Sequence, residues 1–545
     1  MEWLSGTPPA MRLEAHYGDR VVPCFTERPR SVHALLAEAV LRNPDGEALV
    51  CEDRHLTWRE VSDLSGRVAA GFAARGVSPG DRVALLIGNR IEFVLALFGA
   101  AWLGAAAVPL STRQQRPEIA YVLNDCGARL VICEPDLVER LPEPAETPAL
   151  EHRIVLGATG LSGGPDELVP AGAAAPPPAA PGEEETAFIL YTSGTTGRPK
   201  GALLTHLNVV HSAMVYEACM GLTARDRSVA AVPLAHVTGL VANVAALARC
   251  AGTLAILPAF KAAAFLRLAA RERMTHTIIV PAMYNLCLLE PDFEAHDLSA
   301  WRIGAYGGAP MPSATIARLA SKLPGLLLMN AYGATETTSP TTLMPPGSTA
   351  ARGDSVGRPV PGASVIVVDE AGREVPRGEV GEIWIHGPSV VSGYWNNPGA
   401  TAEAFTGGFW HSGDIGAVDA DGFVSVLDRK KDMINRGGHK IFTAEVESVL
   451  AGHPGVVECA VVARPCPVLG ERVHAFVVPR GGAVTAEEVR AYCAERLSDY
   501  KVPETVTIRP DPLPRNANGK LLKRMLREEL AGTAPASGPP ARASG

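Results

Sequence analysis

The segment Tyr191-Thr192-Ser193-Gly194-Thr195-Thr196-Gly197-Arg198-Pro199-Lys200-Gly201 packs three glycines, four serine or threonine hydroxyls and a lysine into one short run. Glycines let a backbone bend so that consecutive N–H groups converge on an anion, and the hydroxyls of Thr192, Ser193, Thr195 and Thr196 add donors. Lys200 supplies a movable positive charge. Together these residue types handle phosphate. The run is not the G-x-x-x-x-G-K-[ST] phosphate loop, in which the lysine directly follows the second glycine. Here Lys200 stands three residues after Gly197 and precedes Gly201. The apolar residues Ala187-Phe188-Ile189-Leu190 come just before, so a strand is expected to feed straight into the loop.

The elements that must position this loop follow an α/β pattern. Thr57 and Glu60 form a capping box, Val61, Leu64, Val68 and Phe72 follow at helical spacing, and Gly76 closes the helix. Val83–Ile87 reads as a buried strand, and strand–helix alternation continues to about residue 330, which implies helix-covered parallel sheets in two subdomains. Residues 169–185, rich in Ala, Pro and Gly, read as a surface linker crossing into the second subdomain. From about Gly353 the texture turns to short strands and tight turns, a small β-rich subdomain that completes a large N-terminal domain over 1–428. A smaller α+β domain is expected over 429–530, with helices at Ala444–Leu450 and after the Thr485/Glu488 capping box, and strands at Val456–Ala463 and Val473–Val478. Residues 531–545 read as a disordered tail.

Composition narrows the function. The 545-residue chain is 47% hydrophobic and 20% charged, too long for one core and ordinary for a globular protein. A net charge of −8 and a pI near 6 argue against nucleic acid as partner. Ten scattered cysteines show neither C-x-x-C pairs nor metal spacing, as expected for an intracellular chain. The opening MEWLSGTPPAMRLEAHYGDR lacks a charged start with an apolar core, so no secretory signal is expected. Phe93–Leu110 runs 18 residues without charge, yet its Ala, Gly and Pro109 favour a buried helix over a membrane span. A cytoplasmic location without stable membrane insertion is expected.

The glycine-hydroxyl run resembles the signature loop of the adenylate-forming, or acyl-activating, superfamily, and further motifs of that group follow in order. Gly307-Gly308-Ala309-Pro310 resembles its adenine-contacting loop, and Tyr332-Gly333-Ala334-Thr335-Glu336 its Y-G-x-T-E motif. The resemblance implies that Tyr332 stacks on adenine, Thr335 contacts the α-phosphate and Glu336 ligates Mg2+, a hard cation that suits a carboxylate. Ser412-Gly413-Asp414 resembles T-G-D, with serine for threonine, and implies that Asp414 accepts the ribose hydroxyls beside Arg429. Lys520, in Pro514-Arg515-Asn516-Ala517-Asn518-Gly519-Lys520, matches the superfamily's catalytic lysine, which stabilises charge between carboxylate and α-phosphate. His236, in Pro233-Leu234-Ala235-His236-Val237-Thr238-Gly239, matches a position beside the acyl site and implies a gate, not a base, because a carboxylate is already ionised.

The resemblance covers residues 30 to 528 and implies a carboxylic acid–CoA ligase: carboxylate and ATP give acyl-AMP and pyrophosphate, then a thiol displaces AMP. It further implies that the C-terminal domain is mobile, rotating about Lys431 between the steps, and that Gly438 and Lys440 face the CoA tunnel. Thr443, where relatives often have proline, is expected to cap the helix carrying Glu445. The superfamily's amino-acid adenylases carry an aspartate near His236 that is missing here, and no insertion between the domains is visible, which points to CoA as acceptor. A stand-alone adenylase loading a carrier protein is the alternative. A non-catalytic nucleotide sensor is a different-class alternative, expected to have lost Lys520 or Glu336, and both are present. His236, Val237, Thr238, Tyr306, Ala331, Gly333 and Thr338 would line a mainly apolar acid pocket, suited to a monocarboxylic aliphatic or aromatic acid. The particular acid and the oligomeric state are not encoded in any motif.

Overall fold

The computed structural model describes residues 3–157, 168–169, 174–192, 198–481, 484–515 and 521–532. The chain divides into two compact units, one made of residues 1–379, 383–412 and 418–425, the other of 380–382, 413–417 and 426–545. Two helix-covered sheets dominate the first unit. One orders its strands Lys200–Thr205, Thr186–Thr192, Ala106–Pro109, Arg82–Leu86, Leu130–Cys133 and His152–Val155, the first pair antiparallel and the rest parallel. The other has nine strands, and a parallel centre runs through Leu327–Tyr332, Ile303–Gly307, His276–Ile279, Arg227–Ala230 and Thr253–Ile256. A small sheet collects Ser364–Val368, Gly381–His386, Phe405–Thr406, Phe409–Val418 and Val424–Arg429, and the division into units passes through these strands.

The helices form where their caps and apolar faces dictate. Trp58–Ala74 starts at the Thr57/Glu60 capping box and buries Val61, Val68 and Phe72. Ile91–Leu103 buries every residue except Trp102, then stops at left-handed Gly104 and returns as the strand Ala106–Pro109. A Cβ on Gly99 would meet Val68 Cγ1 at 2.6 Å, so glycine is what lets these two helices close on each other. Among the described residues, no helix is long and apolar enough to cross a membrane.

The Ala/Pro/Gly stretch behaves differently from expectation. Strands on both sides of it lie in the same six-stranded sheet, where Ala107 pairs with Phe188, so the chain does not cross there into a second sheet. Sheet order is set by long-range pairing that local composition does not carry. The stretch is also pinned: Trp102 Nε1–H donates to the Pro176 carbonyl at 2.8 Å and Ala179 N–H to the Trp102 carbonyl at 2.8 Å. Just past it, the fully buried Arg28 guanidinium holds Glu183 at 2.6 Å and Glu14 at 2.7 Å.

The second unit is a five-stranded sheet, His439–Ile441, Ile434–Arg436, Gly470–Pro479 and Val456–Cys466 with Thr505–Ile508 added beside Gly470–Pro479. Helices Thr443–Ala451, Ala486–Ala494 and Lys523–Gly532 accompany it. The last of them extends two residues into the stretch expected to be tail, and 533–545 lie outside the described residues. Thr443 is not the helix cap that was expected; Phe442 holds that position. Instead the Asp428 carboxylate accepts the Thr443 backbone N–H and its hydroxyl, doing the capping from a distant strand.

Helix His206–Met220 is almost wholly buried and carries two histidines used as acceptors. Val32 N–H donates to His206 Nδ1 at 3.1 Å, and Phe25 N–H donates to His211 Nε2 at 2.9 Å. Burial pushes the two imidazoles down, to about 4 and about 3. Their folded-state values lie below the ordinary 6.5, so their stability contribution is complete above pH 6.5 and is lost as pH falls toward 4. For His206 alone the loss by pH 4 is about 3 kcal/mol. Melting curves are therefore expected to drop steeply over that window, with a shallower slope in His206→Gln; an unchanged slope would remove this histidine from the account.

Candidate active site

The strands Thr186–Thr192 and Lys200–Thr205, on either side of the glycine-hydroxyl run, pair antiparallel, with Thr192 facing Lys200. Ser193, Gly194, Thr195, Thr196 and Gly197 lie outside the described residues. Gly201 has a packing role: a Cβ there would meet Ile189 Cγ2 at 2.8 Å and the Tyr191 ring at 3.1 Å. The Tyr191 hydroxyl donates to Asp125 Oδ2 at 2.5 Å, which anchors the strand end.

Glu336 meets this base. It lies in the single turn Thr335–Thr337, with 9% of its surface exposed. The Thr192 hydroxyl donates to Glu336 Oε1 at 3.4 Å, and the Tyr394 hydroxyl donates to the same oxygen at 3.0 Å. Lys200 Nζ sits 5.2 Å from the centroid of the Tyr394 ring. Among the described residues no lysine, arginine or histidine pairs with Glu336, so a nearly buried carboxylate stands without a cationic partner. The fold thus brings together Thr192, Lys200 and Glu336, separated by up to 144 positions. Sequence reasoning missed Tyr394, whose one local signal is the aromatic pair after Gly393.

The adenine candidates come from adjacent strand ends. Ile303–Gly307 and Leu327–Tyr332 pair in parallel, with Gly307 opposite Ala331, so Gly308-Ala309-Pro310 and Tyr332–Glu336 leave the same edge of the sheet. Carboxyl ends of parallel strands are where open α/β sheets place their ligands. Gly308, Ala309 and Pro310 are exposed, Gly308 has φ +77°, and Tyr332 is half-buried. Thr335 is half-buried in the same turn as Glu336.

Of the acid-pocket candidates, His236 is exposed, Val237 buried and Thr238 half-buried. A Cβ on Gly239 would lie 2.2 Å from the Pro233 carbonyl oxygen, so the turn carrying His236 tolerates only glycine at its exit. Thr238–Ala245 continues as a π-helix, a wide-turn form that often marks functional sites. Ala331 and Thr338 are buried and Gly333 is exposed. Tyr306, expected to line the pocket, is 1% exposed and packs in the cluster of Phe265, Tyr284 and Trp301.

In the second unit, Arg429 Nε meets Asp414 Oδ1 at 2.6 Å, with Asp414 buried and Arg429 partly open. Ser412, at the end of the first unit's share of its strand, gives its hydroxyl to the Ile383 carbonyl at 2.6 Å. Lys431 is exposed in the turn before Ile434–Arg436. Gly437 and Gly438, at φ +58° and +89°, form the two-residue turn joining that strand to His439–Ile441, with Lys440 exposed on the second strand. Lys520 lies outside the described residues.

A Cβ on Gly438 would meet nothing within 4 Å, so its glycine answers the backbone, not crowding within the fold. On the family resemblance that assigns Gly438 to the CoA tunnel, Gly438→Leu is expected to slow thioester formation about tenfold while pyrophosphate exchange continues, and Gly438→Asn, which tolerates positive φ, separates turn strain from a blocked path. Damage confined to adenylation would remove Gly438 from the CoA path.

The family model described as AMP-binding enzyme matches residues 36–395, and that of the AMP-binding enzyme C-terminal domain matches 445–520. Long-chain-fatty-acid–CoA ligase FadD13 of Mycobacterium tuberculosis is 36% identical over 89% of this chain and 95% of its own. Feruloyl-CoA synthase of an Amycolatopsis species is 38% identical over 87% of this chain and 94% of its own. The structure of o-succinylbenzoate coenzyme A synthetase (MenE) from Bacillus subtilis with ATP and magnesium ion overlays with a TM-score of 0.81, at 32% identity, over 91% of this chain and 99% of that one. The chain belongs to the AMP-binding enzyme family, with the large N-terminal and small C-terminal domains of the adenylate-forming fold.

Proposed function

We propose that the protein is an ATP-dependent carboxylic acid–CoA ligase. A carboxylate oxygen attacks the α-phosphorus of ATP, the bond to the pyrophosphate oxygen breaks, and acyl-AMP forms. The CoA sulfur, as thiolate, then attacks the acyl carbon, and the bond to AMP breaks to give acyl-CoA and AMP. The first step needs no general base, because the acid is already ionised at neutral pH. The observation that carries this reading is the meeting of Thr192 with Glu336, and of Lys200 and Glu336 with Tyr394, just past the carboxyl ends of the parallel strands Thr186–Thr192 and Leu327–Tyr332.

The residues at Glu336 fit a magnesium ion. Its carboxylate is nearly buried and, among the described residues, lacks a cationic partner and has both hydroxyl donors on Oε1 with none on Oε2. A hard divalent cation is the natural counter-charge, and it would neutralise the triphosphate oxygens. Thr192, Ser193, Gly194, Thr195, Thr196, Gly197 and Lys200 are assigned to the phosphates that leave. Thr335 is assigned to the α-phosphate, and Tyr332 with Gly308, Ala309 and Pro310 to adenine. Asp414, oriented by Arg429, takes the ribose hydroxyls. Lys520 stabilises charge at the α-phosphate, Lys431 is the hinge, and Gly438 with Lys440 lines the CoA path. His236 gates the acid site. Buried Val237 and Ala331, two of the candidate lining residues, support an aliphatic or aromatic monocarboxylic acid. Ten free thiols support a reducing compartment such as the cytoplasm.

The test is ATP–pyrophosphate exchange across aliphatic acids, benzoates and cinnamates, followed by CoA-dependent AMP release. Exchange with a subset and thioester formation with CoA are expected. Exchange without any CoA thioester would move the acceptor to a carrier protein, and no exchange with any acid would overturn the reading.

A further inference from the structure

Glu336 is not held by its own turn. Its Oε1 accepts two hydroxyls from other parts of the unit, Thr192 at 3.4 Å and Tyr394 at 3.0 Å, and Oε2 takes no bond among the described residues. Tyr394 is itself fixed. It is 8% exposed, bridges to Ala202 beside the loop base, and takes a bond from its own N–H to the Thr401 hydroxyl at 3.0 Å. Its neighbours lock in as well: Trp395 N–H donates to the Gly201 carbonyl at 2.7 Å and Leu203 N–H to the Gly393 carbonyl at 3.1 Å. The same phenol ring lies under Lys200 Nζ, 5.2 Å from its centroid. One side chain therefore touches both the carboxylate and the cation of the phosphate site.

We infer that Tyr394 is the positioning residue of the metal carboxylate, fixing the Glu336 plane so that Oε2 alone is offered to the cation. This rests on the assignment of Glu336 under the proposed function. Magnesium demands near-ideal octahedral geometry and keeps most of its waters, so one well-aimed oxygen suits it better than a carboxylate free to turn and chelate. Groups that orient a metal ligand typically govern affinity about tenfold or more. The ring under Lys200 adds a second constraint, because an aromatic face attracts a cation and so gives Lys200 Nζ a resting place other than the carboxylate. An ion pair between Lys200 and Glu336 would neutralise both groups; none forms among the described residues, and the phenol that contacts each of them leaves the positive charge for phosphate and the negative charge for the metal.

The test is ATP binding to the full-length enzyme by calorimetry, without acid, in magnesium and in EDTA. Tyr394→Phe keeps the ring, its packing and the cation contact, and removes only the hydroxyl. The variant is expected to lose about tenfold in ATP affinity with magnesium, to need correspondingly more magnesium for half-saturation, and to match the wild type in EDTA. Thr192→Val, at the longer hydrogen bond, is expected to shift the same readout by less. An unchanged magnesium requirement in Tyr394→Phe overturns the inference. Equal losses with and without magnesium also overturn it, since the hydroxyl then serves the loop and not the carboxylate. Wild-type enzyme that binds ATP equally in magnesium and EDTA overturns the assignment of Glu336 beneath it, a separate result.

Discussion

A Lys520→Ala enzyme is expected to lose adenylation by about 10³-fold while making thioester from supplied acyl-AMP at close to the wild-type rate. The separation follows from where charge appears. When the carboxylate attacks the α-phosphorus, negative charge grows on the phosphoryl oxygens, and a positioned ammonium stabilises that growth more than it stabilises bound ATP. In the thiol step the phosphoryl group is a leaving group, and the same lysine is expected to be dispensable. On either side of Lys520, Arg515 bridges to Leu521, Leu522 N–H donates to the Pro514 carbonyl at 2.8 Å, and Lys523 Nζ meets Glu447 at 2.7 Å. A side-chain truncation at 520 should leave those contacts intact. Pyrophosphate exchange and single-turnover thioester formation, measured on one preparation, read the two steps, and equal losses in both would refute the assignment.

Glu336→Gln should lower adenylation by about 100-fold, with the magnesium requirement rising, while the melting temperature stays level or increases. Glutamine keeps an oxygen for the Tyr394 and Thr192 hydroxyls but removes a buried charge that has no cationic partner among the described residues. Burying such a charge destabilises a fold, so its removal relieves the folded state. Activity and stability then move in opposite directions, which is the mark of a group retained for function. A lower melting temperature together with equal loss of both half-reactions would instead make Glu336 a structural residue.

Local patterns were legible in the sequence where the physics is local. The Thr57/Glu60 and Thr485/Glu488 boxes start helices because both halves of each cap lie within one turn. The strand Thr186–Thr192 follows from the apolar run Ala187–Leu190. What depends on distant pairing was not legible. The Ala/Pro/Gly stretch looked like a passage between subdomains, because composition carries no record of which strand pairs with which. Thr443 looked like a cap because it stands at the start of the helix carrying Glu445, and the carboxylate that does the capping, Asp428, lies 15 residues upstream. Tyr394 went unnoticed because Glu336 lies 58 positions away. Gly201 sits in the signature run but answers to the Tyr191 ring, a cross-strand neighbour no linear pattern displays.

The placement of Thr186–Thr192 beside Ala106–Pro109 also bears on what the peptide chain must do there. Continuity of the backbone between Val169 and Glu183 is not what joins the two segments; sheet pairing, Arg28 and the buried helices do that. A protease that severs this stretch should yield two fragments that elute together and retain exchange activity, coming apart only in denaturant. The same site should accept an inserted domain, or new termini in a circular permutant, without loss of exchange activity.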